Sequence, residues 1–182
     1  MAETTIQGIA SFRANQDSTG VITPIVFNRA EAALHDGRAF VISTVITNVA
    51  TNGSVSVVLK GATDRTAHVT FEASGEYTGK VDVIKGGTSG YTTASALTVV
   101  NMNMNSTATA GTLAYAQITH NSQTTLSSEY LPTLGQPVPV ERLYGCPQWI
   151  LPAKGVIEAK VSNAAATTGA FGVVAFVVEY TA

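Results

Sequence analysis

The sequence predicts an all-β chain, an antiparallel β-sandwich or jelly-roll-like single domain with an extended N-terminal arm, and three observations carry that expectation. From Ala39 onward, short runs rich in Val, Ile, Thr and Phe are separated by Gly, Asn, Asp and Ser, the punctuation of strands and turns. Hydrophobic residues make up 45% and charged residues only 12%, against a usual charged share of roughly 25%. Thr, Ser, Ala, Val and Gly take the place of the missing charge, a mixture that favours pleated strands over long solvated helices. The 182 residues suffice for one domain that buries its own core without disulfides or metal.

The elements follow in order. Residues 1–35 mix short apolar stretches with polar breaks and read as a partly extended arm. Within it Asn28 to Gly37 suits one or two helical turns, started by Asn28 and stopped by Gly37. Residues 36–182 form the sandwich. Ala39 to Thr47 and Ser54 to Lys60 read as strands, the second with Val55, Val57 and Leu59 on one face. Between them Asn52-Gly53 supplies the positive backbone angles of a tight hairpin, which predicts that the two strands pair as neighbours. His68 to Ala73 turns Val69 and Phe71 to one face, and Lys80 to Gly86 turns Val81 and Val83 inward with Asp82 outward. Gly86 to Tyr91 is a loop, Ala96 to Met104 a strand, and Thr112 to His120 another.

Residues 121–148 carry Pro132, Pro137, Pro139 and Pro147, which lack amide donors, so this stretch reads as a long excursion. Trp149 to Leu151, Val156 to Ser162 and Phe171 to Tyr180 complete the strands. The last is apolar on both faces, as a covered central strand would be.

Little in the chain points to chemistry. His35, His68 and His120 are far apart, and none has a second ligand at metal-site spacing, so no metal is expected. Cys146 lacks a nucleophile signature and reads as a small apolar residue beside Trp149; as the single cysteine it fits a reducing compartment. The GGTSG run lacks the lysine of a phosphate-binding loop and reads as a turn, and no carboxylate pair stands out. A net charge of −2 gives no footprint for a phosphate backbone. The longest apolar run, Gly169 to Tyr180, is too short for the roughly 20 residues of a membrane helix, and the first residues do not read as a secretory signal. The expectation is therefore no enzyme, no cofactor, no nucleic acid and no membrane.

What remains is association. A near-neutral surface allows close approach between subunits. Trp149 and Tyr144 are the large aromatics suited to an interface, with simple packing of Trp149 in the sandwich as the plainer role. Met102 and Met104 share a strand face that suits either the core or an adaptable contact, the core being the plainer role.

The runs GRAFVISTVITNVATNGSVSVVLKGATDRTAHVTFEA, VVNMNMNS, QWILPAKGVIEAKVSNAAA and a terminal VVEY resemble a family of small structural proteins of tailed bacteriophages, over roughly residues 36–182. The resemblance implies a β-sandwich virion component that decorates or cements the head and has no enzymatic role. It implies the major capsid protein as partner, a homo-oligomer, and a place on the capsid exterior after synthesis in the host cytoplasm. It also draws Asn101, Asn103 and Asn105 into the candidate interface, where they would hold a turn or a row of hydrogen bonds between subunits. The alternative is a receptor-binding or tail-fibre head domain that recognises a bacterial surface glycan or protein.

Overall fold

A computed structural model describes residues 3–6, 10–16, 22–86, 91–92, 95–116, 119–120, 123–131 and 149–181. The expected all-β sandwich is what forms. Two antiparallel sheets enclose one apolar core, to which Phe40, Ile42, Val57, Leu59, Val69, Phe71, Ala159, Val161, Phe171 and Val173 contribute.

The first sheet contains β4 (Ala39–Val49), β6 (Arg65–Gly75), β14 (Trp149–Leu151) and β16 (Gly169–Thr181), in the order β4-β16-β6-β14. The second contains β5 (Ser54–Lys60), β7 (Gly79–Gly86), β13 (Gln123–Leu131) and β15 (Val156–Asn163), in the order β5-β15-β7-β13. Except between β7 and β13, each successive strand of these eight crosses to the other sheet. That wrapping is a jelly roll, two antiparallel Greek keys closed over a shared core.

The Asn52-Gly53 turn is where the local expectation fails. β4 and β5 do not pair; the turn is a corner that carries the chain from one sheet to the other. The Gly53 amide donates to Ala50 O at 2.8 Å, and of the two residues Asn52 alone has a positive φ, 62°. A single left-handed residue at that position belongs to a turn whose twist splays strands, whereas a two-residue hairpin needs a primed turn. With Val55, Val57 and Leu59 facing Phe40 and Ile42 across the core, both segments bury an apolar face without sharing a ladder.

The expected strand from Ala96 to Met104 is also broken. Ser95–Ala96 (β9) joins the edge of the second sheet through Leu113–Ala116 (β11), while Val100–Asn101 (β10) joins the edge of the first beside β4. One excursion therefore covers the exposed edges of both β4 and β5, which would otherwise invite uncontrolled pairing. Tyr91–Thr92 (β8) and Thr119–His120 (β12) pair with each other.

The stretch 121–148 is not wholly an excursion. Its first part is the nine-residue strand β13, paired along β7, and the prolines come only after it, from Pro132 onward. Residues 132–148, Tyr144 and Cys146 among them, lie outside the described residues, as does the GGTSG turn beyond Gly86.

Glu3–Ile6 (β1), Ala10–Gln16 (β2) and Ile22–Asn28 (β3) pair with one another in a three-stranded antiparallel sheet. A helix, Arg29–His35 (α1), follows and ends where the sequence predicted. The Arg38 amide reaches Ala33 O at 2.8 Å and the Gly37 amide reaches Leu34 O at 3.1 Å, with Gly37 at φ 70°, which is the Schellman cap.

Candidate interaction surfaces

Within the excursion between β7 and β13, residues 101–112 are fixed at both ends. At one foot, the Asn101 side-chain amide donates to Gly37 O and to Ala108 O, each at 2.9 Å. Its carbonyl oxygen accepts the Asn103 amide at 2.9 Å, and the Asn103 carbonyl oxygen accepts the Asn105 amide at 3.1 Å. Asn103 Nδ2 then donates to His35 O at 3.0 Å, at the end of α1. Asn101 and Asn103 thus open two consecutive Asx turns, the second closed on the Asn105 amide. The amide groups of Asn101 and Asn103 are spent inside the chain.

The residues between them do not take the plainer of their two expected roles. Met102 and Met104 are not in the core: Val100, Met102 and Met104 are exposed, Met104 at 96%. The Asx turns claim the inward positions, so alternation sends the apolar side chains out.

At the other foot, Glu179 is 1% exposed and lies on the inner face of β16. Its carboxylate accepts the Thr112 amide at 2.6 Å, the Gly111 amide at 3.1 Å and Arg65 Nη1 at 3.3 Å. A buried carboxylate needs such partners to offset lost hydration. Arg65 also binds the exposed Asp64, whose carboxyl is held below its ordinary value mainly by that hydrogen bond. Asn163 plays a similar part at the opposite end of the sandwich: its amide donates to Val49 O at 2.9 Å and Thr167 O at 2.8 Å. Neither Glu179 nor Asn163 stood out in the sequence, because a buried polar side chain in a strand has no local signature.

The two sheets differ outside. On the second, Val58, Ile84 and Val156 point away from the core yet are buried, so that part of the face is covered, while Tyr130 is open at 72%. On the first, the outward side chains of β4 and β16 form an apolar strip, while β6 beside them turns Thr66, His68, Thr70, Glu72 and Ser74 outward. Register aligns Val100 with Val41 and Val41 with Phe176, all facing outward, with Val174 and Val178 beside them along β16. Val41, Val174, Phe176 and Val178 are half-buried, and Val45 and Ile150 are exposed at 65% and 67%. A shallow depression of about 300 Å³ lies where Gly172 of β16 leaves room between Val45 and Ser74.

Trp149 is half-buried and packs against the core, which is the plainer of its two expected roles. It also lines a cleft of about 390 Å³ with Leu126, Ile150, Leu151, Pro152 and Val156, Lys85 being the charged residue among its described lining. Among the described residues, no group of His, Cys, Asp and Glu side chains is placed to hold a metal ion. His68 packs against Tyr180 with the rings tilted by 55° and their centroids 4.7 Å apart. No helix among the described residues is long and apolar enough to cross a membrane.

These features define a jelly-roll scaffold with a hydrogen-bonded edge loop and an apolar strip along β4 and β16. Comparison of the chain with known protein-family models, with curated proteins and with solved structures finds no match.

Proposed function

We propose that this chain is a non-enzymatic structural protein of a tailed-phage virion, a decoration or cement protein that binds the assembled head through protein contacts. The observation that carries the reading is the outward side of β4 and β16, where Val41, Val45, Val174 and Phe176 make an apolar strip bordered by the polar outward row of β6. Contiguous exposed apolar area of that kind on a folded domain marks an interaction site. The weakly charged composition supports the same reading, since few ionic groups must lose hydration when the face is covered. Binding the assembled shell and not its free subunits stabilises the shell by mass action.

The alternative, a receptor-binding head that grips a glycan, calls for aromatics and carboxylates converging in one concavity. The cleft at Trp149 has one aromatic and no carboxylate among its described lining, which favours docking on protein. Labelled protein mixed with purified phage particles and imaged by electron microscopy tests the proposal. Decoration of the head is expected; label at the tail tip alone, or on no part of the particle, contradicts it.

A further inference from the structure

The Met104 loop and the Trp149 cleft sit at opposite edges of one sheet: β10 is first and β14 last in the order β10-β4-β16-β6-β14. We infer that they are the two halves of one contact, in which Val100, Met102 and Met104 of one copy insert into the Leu126, Trp149 and Ile150 cleft of the next.

Three observations support this pairing. The loop is a preformed plug, because the bonds of Asn101 and Asn103 to Gly37 O, Ala108 O and His35 O fix it before any partner arrives. Ordering entropy that would be lost on binding is already lost on folding. That constrained loop holds the Met104 thioether at 96% exposure.

The second observation is chemical fit. Methionine adapts to irregular apolar hollows and makes favourable contacts with aromatic rings, and the cleft offers the Trp149 indole with Leu126 and Ile150. Third, the electrostatics permit it. No Asp, Glu, Lys or Arg occurs between Lys85 and Glu129, so the plug brings no ionic group into the cleft. With a net charge of −2, copies scarcely repel.

The contact is heterologous, since plug and cleft are different surfaces; repeated, it closes into a ring or extends as a chain. It concerns copies of this chain and stands whether or not a phage head is the partner of the sheet face.

The test uses the full chain in analytical ultracentrifugation. Wild type should self-associate at micromolar concentration. Met104→Glu and Ile150→Glu, both at exposed positions, should each weaken association by more than about 10-fold while leaving circular dichroism and Tm unchanged. An equimolar mixture of the two variants keeps one intact plug and one intact cleft, and should recover a heterodimer and nothing larger. A monomeric wild type, variants that assemble like wild type, or a mixture that stays monomeric each overturns the inference. Should either variant lose its fold, Met104→Ser and Ile150→Ser replace the pair with the same expected outcomes.

Discussion

The carboxylate of Glu179 accepts the backbone amide of Thr112 at 2.6 Å, joining the last strand of the jelly roll to the excursion that covers its edge. Because Glu179 is buried, Glu179→Gln should cost about 1.5–3 kcal/mol, the range for hydrogen bonds to a charged group. Urea unfolding measures this. Amide exchange at Gly111 and Thr112 should rise at the same time, and unchanged exchange would show that the carboxylate does not hold this foot.

The Thr112 hydroxyl is buried with no hydrogen-bond partner. Valine has nearly the same shape and carries no polar atom to desolvate, so Thr112→Val should raise stability by up to about 1 kcal/mol. A loss of stability on denaturant unfolding would mean that the hydroxyl is satisfied in solution.

Gly37 combines a φ of 70° with close approach to Ser106, whose side chain a Cβ would strike. Gly37→Ala should therefore destabilise by at least about 1–2 kcal/mol, the cost of a left-handed alanine alone. Thermal unfolding checks it, and a neutral result would require a different cap for α1.

Asp64 is held below its ordinary carboxyl value chiefly by the hydrogen bond from Arg65. A depressed folded-state value contributes stability that is present above the unfolded value and is lost as pH falls through the folded one. Arg65→Gln should move the Asp64 midpoint up toward that of an ordinary aspartate, followed by NMR titration of its carboxyl carbon. The Asp64–Arg65 pair itself contributes little, being screened by solvent, so the stability lost in Arg65→Gln should come from the buried Glu179, which loses its cationic partner.

Much of the fold was legible because it rests on period-two alternation. Val55, Val57 and Leu59, then Val69 and Phe71, then Val81 and Val83, all lie in the core as their spacing required. The partnership of strands was not legible. Asn52-Gly53 encodes a turn, and whether a turn joins neighbours or crosses to the facing sheet depends on which distant strands compete for each edge. β13 was hidden by the prolines that follow it, since hydroxyl-rich residues carry a weak strand signal at an edge. The Asn101, Asn103 and Asn105 series was visible as unusual for a strand. That it turns Met102 and Met104 outward depended on carbonyl groups at His35 and Gly37, far away in sequence.

The central claim is that the outward β4-β16-β6-β14 face docks on a protein shell, and co-sedimentation with purified phage heads tests it most directly. The double variant Val45→Glu, Val174→Glu places charge on that face while leaving the core untouched. It should fold like wild type by circular dichroism and remain in the supernatant, while wild type pellets with the heads. Pelleting of the double variant to the same extent as wild type would contradict the account.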